Sequence, residues 1–411
     1  MFLRYISYIS RAKLTLKKDP VLVMLLLSSA AYFFFYYLTD PARPAGVFSF
    51  IGLNDKALYE AGWFGYYDQS QYLRLAQTLA NFDFQRLHET YTYGIGYPLV
   101  AVPFLWLGIH SDPFVFFNFA TFLFTVFAVY KAAKHFISPL AGWLAGFGLV
   151  FATPLINYVD IPWNSTICLL AMAVILLAAT AKKVTRWHAL VVGLLIGWSF
   201  AARYVDIFWL TILGVSALYR GALKPWVKSA AFMVVGMGLF IVPVMYSHYK
   251  YFGSPLRTPY VNHLGIGGVG SSDQGAGAYN LSRVPNASLG MLVSPRLAGS
   301  IDYDRGLLIS MFWVIAAIPG AVILLRRNTG KLFWKVFIVT TSVAFIFYLS
   351  FRASTPDSIK YGTLHYFKIF WPGMVILAVA FLDSIIGKLA LSPTAPKGKK
   401  QFAPNVQRRE R

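Results

Sequence analysis

The chain has 411 residues, 57% of them hydrophobic and only 13% charged, with a mean hydropathy of +0.56. Apolar runs of about twenty residues, the length that crosses a bilayer core, recur along it and exclude an ordinary water-soluble domain. A net charge of +21 would suit nucleic acid in a soluble protein. Here Lys and Arg cluster in short loops between spans, where positive charge fixes orientation, so no nucleic-acid partner is expected.

In chain order, Arg4, Arg11, Lys13, Lys17 and Lys18 precede the apolar run Val21 to Leu38. That run is too long for a signal-peptide core and lacks a cleavage site, so it reads as a retained first span that starts in the cytoplasm. Spans are expected near residues 20–39, 113–132, 139–157, 164–181, 188–202, 203–220, 228–247, 307–325, 332–351 and 368–387. The apolar piece 97–109 is too short to cross comfortably. The fold class is thus all-α, a polytopic transmembrane bundle of about 10–11 spans with interfacial helices in the first outer loop. One membrane domain covers residues 1–390, and 391–411 form a basic cytoplasmic tail suited to anionic lipid.

Charge sets the orientation. If 97–109 only dips into the bilayer, Lys131 and Lys134, then Lys182, Lys183 and Arg186, then Arg220, Lys224 and Lys228, and finally Arg326, Arg327, Lys331 and Lys335 all face the cytoplasm. The same assignment puts 13 of the 16 acidic residues outside, leaving Asp19, Asp383 and Glu410 on or near the inner side. The outer regions are then 40–112, 248–306 and 352–367, and the protein is expected in the plasma (inner) membrane with its working face extracytoplasmic.

The first outer region holds the run from Gly65 to Tyr72 containing Tyr67, Asp68 and Gln69. Tyr72, Leu75, Ala76 and Leu79 recur at helical spacing, so residues 70–80 read as a helix in the interface with Asp68 just before its start. Asp55, Glu60, Asp83 and Glu89 share the loop as solvated charges or caps, while His88, Tyr91 and Tyr93 lead to Gly94-Ile95-Gly96-Tyr97-Pro98, a turn back toward the membrane. Asp160, in the polar turn 154–165, either lines a cavity or sits in water. Arg203-Tyr204-Val205-Asp206 falls between two apolar segments, as a mutual ion pair or as an anion site exploiting the donor fork of Arg203.

In the loop 248–306, Gly265 to Gly270 fits G-x-G-x-x-G but lacks the strand and helix of a dinucleotide fold, so a flap over a site is the reading. Asp302 and Asp304 look like a metal pair that Arg305 can equally neutralise. His110, His135, His188, His248, His263 and His365 show no ligand spacing, and the lone Cys168 reads as a small core residue.

The tract Tyr67-Asp68-Gln69-Ser70-Gln71-Tyr72-Leu73-Arg74-Leu75-Ala76, the descent Gly94 to Leu99, and Ala201-Ala202-Arg203-Tyr204 resemble the GT-C class of integral-membrane glycosyltransferases, especially bacterial relatives of the protein O-mannosyltransferases. Tyr251-Phe252-Gly253-Ser254-Pro255 with Tyr260, and Arg305-Gly306-Leu307-Leu308, are similar to segments of that bacterial branch. The resemblance implies an inverting transferase that moves a sugar from a polyprenyl-phosphate donor to an acceptor hydroxyl of a glycan, lipid or protein. It implies Asp68 as base, Arg203, Arg305, His365 and Lys368 as donor-phosphate candidates, and Tyr67, Gln69, His88, Tyr93, Asp160 and Tyr204 around the substrate. No metal or other cofactor is required by that chemistry, since phosphate departs readily when cations hold it. The chain departs from the pattern at Gln69, where many relatives carry Glu, and at His365-Tyr366, where Arg-Tyr is usual. The rival readings are a lipid-linked glycan transporter or flippase, which needs polar groups along several spans, and a polysaccharide ligase or polymerase, which takes a lipid diphosphate.

Overall fold

The computed structural model describes residues 19–46, 62–151, 155–156, 159–219, 221–259, 280–293, 308, 311–327, 329–350 and 366–390, apart from the side chains of residues 88, 223, 224 and 388–390. Arg305, His365, the His88 side chain, the glycine-rich flap, Asp302, Asp304 and the basic tail lie outside the described residues. Among the described residues the fold is helical throughout, without a strand.

Ten apolar helices occupy the ten expected positions. They are α1 (Pro20–Thr39), α5 (Val115–Phe136), α6 (Pro139–Phe151), α7 (Ser165–Thr180), α8 (Arg186–Ala202), α9 (Asp206–Leu218), α10 (Leu223–Phe252), α12 (Ala317–Arg326, entered through a 3-10 turn Phe312–Ala316), α13 (Lys331–Leu349) and α14 (Trp371–Ala390). Four of them, α1, α5, α10 and α13, are long and apolar enough to cross a membrane; the other six are shorter apolar helices. The chain is a membrane-embedded helical protein. Between these lie α2 (Tyr67–Ala80), α3 (Leu87–Thr90), α4 (Pro98–Trp106) and α11 (Val284–Leu292). At about 1.5 Å per residue, the nine residues of α4 reach less than half the thickness of a bilayer core.

Local chemistry sets the helix ends. Asp19 caps α1 by accepting from the Leu22 amide, with Pro20 in the first turn where its missing N–H costs nothing. Thr185 and His188 form a reciprocal capping box on α8. The helix α10 stops at Gly253, whose φ of 77° suits glycine.

At one end of the bundle Lys134 donates to Asp19 at 2.7 Å, Ser138 donates to Asp383 at 2.5 Å, and Arg327 donates to the carbonyls of Phe136 and Ile137 at 3.2 Å each. The opposite end of α1 meets the opposite end of α5, where Tyr37 donates to Asp112 at 2.7 Å. The two helices are therefore antiparallel and tied at both ends, and the loops of α2 to α4 gather at the Tyr37 end. A continuous apolar core runs through α1, α5 to α9, α12, α13 and α14, with Phe33, Phe122, Trp334, Phe337 and Trp371 fully buried. Helices α8 and α10 approach so closely at Gly193 that a methyl group there would meet the Met233 carbonyl at 2.0 Å, the small-residue contact that helices use in lipid.

Candidate active site

The first element of the site is α2. Sequence spacing starts this helix at residue 70 with Asp68 before it; the structure starts it at Tyr67, so Asp68 sits in its first turn, where a carboxylate complements the helix dipole. The stripe Tyr72, Leu75, Ala76 and Leu79 is buried as expected, but against protein: Tyr72 packs on Tyr93 and Tyr97, and the helix lies on α4. The apolar face is thus spent on the fold itself, and Arg74 and Gln77 form the exposed ribbon.

Asp68 accepts a short hydrogen bond from the Tyr93 hydroxyl. Burial pushes its carboxyl above the ordinary carboxylate range, and the Tyr93 bond pulls the other way without cancelling that effect. The second element is the turn that carries Tyr93. A methyl group at Gly94 would meet the Ala201 carbonyl at 2.4 Å, and one at Gly96 would meet the Ala202 nitrogen at 2.6 Å. The Gly96 amide donates to Ala201 at 2.8 Å, the Trp198 indole donates to the Gly96 carbonyl at 2.9 Å, and Asn164 donates to Ala202 at 3.2 Å. Only glycines permit this docking of the turn on the end of α8. Its consequence is to set the turn that carries Tyr93, the partner of Asp68, against the end of α8, which Arg203 follows.

Arg203 is the third element. It is buried, its Nη1 lies 3.5 Å from Asp206 Oδ2, and its guanidinium lies over the Tyr366 ring at 4.3 Å and the Tyr348 ring at 5.6 Å. The ion pair expected from sequence exists, while Nη1 makes no hydrogen bond among the described residues. Burial raises the Tyr366 hydroxyl above the usual range, the Arg203 charge lowers it, and Asp68 and Asp206 raise it.

Lys368, fully buried, donates to Thr166 Oγ1 at 2.9 Å and Ser165 Oγ at 3.4 Å in the first turn of α7, and lies within electrostatic reach of Arg203 and Asp160. The remaining candidates separate. Gln69 is buried and donates to the Pro162 carbonyl at 3.4 Å, which ties α2 to the 159–164 turn. Asp160 is buried rather than bathed in water, with Oδ1 accepting from the Ile161 amide at 2.8 Å; burial raises its carboxyl well above the ordinary range, and Asp40 adds to that. Tyr204 bonds His248 at 3.0 Å, while Tyr67 stands exposed.

Sequence reasoning missed three partners. His248 is not an interfacial group: its Nδ1 lies 3.3 Å from the Pro255 carbonyl, so that nitrogen carries the proton and Tyr204 donates to Nε2. Tyr348, on a span read as plain apolar packing, donates to Asp206 and accepts from the Trp209 indole at 3.2 Å. Asp112 accepts from Tyr37 and from the Phe114 amide, and burial pushes its carboxyl up to about 6. Only the intramembrane position of a tyrosine among phenylalanines could have flagged Tyr348.

This helical architecture has counterparts among solved membrane-protein structures. Two solved structures carry the likeness. One is ArnT from Cupriavidus metallidurans bound to undecaprenyl phosphate, with a TM-score of 0.56 and 13% identity over 88% of this chain. The other is the apo oligosaccharyltransferase of Archaeoglobus fulgidus, with a TM-score of 0.51 and 14% identity over 90% of this chain. The chain spans 60% and 51% of the lengths of these two proteins. No protein-family model and no curated protein matches the sequence.

Proposed function

We propose that the protein is a glycosyltransferase that takes a sugar from a polyprenyl-phosphate donor and transfers it, with inversion, to an acceptor hydroxyl at the extracytoplasmic face of the inner membrane. The observation that carries this reading is the turn at Gly94 to Gly96, which holds the Tyr93 partner of Asp68 and docks on the end of α8 that Arg203 follows. A base and an anion-holding cation then stand on neighbouring elements. That the ArnT structure holds undecaprenyl phosphate supports the lipid donor.

In the proposed reaction the acceptor oxygen forms a bond to the anomeric carbon while the bond from that carbon to the phosphate oxygen breaks. The hydroxyl proton passes to Asp68, and the electron pair leaves with the polyprenyl phosphate. A carboxylate accepting that proton is worth roughly two to four orders of magnitude in rate. Arg203 and Lys368 would hold the charge that grows on the leaving phosphate, worth several kcal/mol in a partly dry site. Arg305 and His365 remain proposed contributors to the same anion site. Hexosyl and pentosyl donors both fit this chemistry, and the acceptor is a glycan, lipid or protein hydroxyl. Incubating purified protein with a panel of polyprenyl-phosphate sugars and following release of free polyprenyl phosphate tests the proposal. Release with at least one donor is expected. Movement of the intact donor across a bilayer without release would instead make the protein a transporter.

A further inference from the structure

We propose that Trp209, Tyr348 and Asp206 form a positioning relay that keeps the Asp206 carboxylate from closing on Arg203, and so keeps the guanidinium ready to donate to a phosphate oxygen. The inference rests on the phosphate-binding role proposed for Arg203. Three helices contribute: Trp209 and Asp206 stand on α9, Tyr348 on α13, and Arg203 directly follows α8.

Buried Arg and Asp three residues apart normally collapse into a hydrogen-bonded pair, because each leaves an expensive charge in low dielectric otherwise. Here they do not. The closest approach is 3.5 Å, and neither Arg203 Nη1 nor Asp206 Oδ2 makes a hydrogen bond among the described residues. The geometry gives the reason. The Trp209 indole can only donate, and it donates to the Tyr348 oxygen at 3.2 Å, which commits the Tyr348 proton elsewhere. That proton goes to Asp206 Oδ1 in a short bond, turning the carboxylate toward α13.

Arg203 is held from its other side. Its guanidinium lies 4.3 Å from the centre of the Tyr366 ring, and Tyr366 is itself stacked on Tyr348 at 5.4 Å with an interplanar angle of 22°. Tyr348 therefore both draws Asp206 away and supports the ring beneath Arg203. The arrangement leaves Asp206 near enough to compensate the buried cation and too far to consume its donor. An incoming phosphate oxygen supplies the hydrogen bond that Nη1 lacks, which is the property wanted of an anion site at rest.

The test uses Tyr348→Phe and the double variant Tyr348→Phe, Asp206→Asn in the full-length protein, with undecaprenyl phosphate as the probe in detergent. Removing the hydroxyl group frees Asp206 to close on Arg203, and lipid affinity is expected to fall ~10-fold, the loss of one charge-assisted hydrogen bond to competition. In the double variant the competing carboxylate is gone, and affinity is expected to recover to within a fewfold of wild type. A purely structural role for Tyr348 would lower the melting temperature of both variants and leave affinity unchanged in each, overturning the relay. The second readout is a structure of Tyr348→Phe, in which the Arg203 to Asp206 distance is expected to shorten to a hydrogen bond. A pair that stays apart overturns the relay even if the lipid does not bind. Wild-type protein that fails to bind undecaprenyl phosphate contradicts the proposed function instead, and the distance then decides the relay alone.

Discussion

In the proposed reaction burial sets the pH at which Asp68 can work as a base, and Tyr93 moderates it. Burial raises the Asp68 carboxyl and the Tyr93 bond lowers it, and a base must be ionised, so transfer should rise with pH through the folded-state value and fail below it. Tyr93→Phe removes the lowering contribution. The acid limb of the kcat/KM profile should therefore move to higher pH, and a limb that stays in place would show that another group sets it. Asp112 titrates in a separate range. Its carboxyl stands at about 6 because of burial, against an ordinary value near 3.8, so its contribution to stability is full below the ordinary value and is lost as pH rises through 6. Asp112→Asn keeps an acceptor for Tyr37 and removes the titration. Stability should fall by up to about 3 kcal/mol between pH 4 and 7 in wild type, read as a falling melting temperature in detergent, with a flatter profile in the variant.

At the scale of elements, the turn at residues 94–97 is what brings the two halves of the candidate site together. Gly96→Ala would place a methyl group 2.6 Å from the Ala202 nitrogen, and backbone on both sides leaves nothing soft to move. A loss of about 1–3 kcal/mol is expected, with transfer lost in the protein that still folds, because the end of α8 carries Arg203. Thermal unfolding together with turnover checks both halves of that statement. The same turn shows how much of the site is legible in sequence. Gly94-Ile95-Gly96-Tyr97-Pro98 announces a turn by its residues, and Asp68 and Arg203 stand out as charges beside apolar runs. Where the turn docks is a long-range fact that no local periodicity encodes. The stripe Tyr72, Leu75, Ala76 and Leu79 was likewise visible as an apolar face, but spacing cannot say whether lipid or α4 covers it.

For the whole molecule, the ten apolar helices were legible because each lies in an apolar run, four of them long enough to cross a membrane. Tyr348 and Trp209 were not legible, since in sequence they look like two more aromatic residues of spans. Side assignment remains a proposal that labelling can decide. Cys168 is the only cysteine and is buried, out of reach of a membrane-impermeant maleimide, so it can be left in place. Exposed Arg74→Cys should react with a membrane-impermeant maleimide on intact cells, and exposed Lys182→Cys should react only after permeabilisation. The reverse pattern would put Asp68 on the cytoplasmic side and remove the extracytoplasmic reaction.

In the proposed reaction Asp68 serves chemistry while Arg203 serves the donor phosphate within one site. Binding of undecaprenyl phosphate and sugar release from a polyprenyl-phosphate donor, measured side by side on Asp68→Asn and Arg203→Gln, separate the two roles. Asp68→Asn should retain lipid affinity and lose turnover by at least about a hundredfold, whereas Arg203→Gln should lose affinity first. Undiminished turnover in Asp68→Asn, or undiminished lipid affinity in Arg203→Gln, would contradict the account.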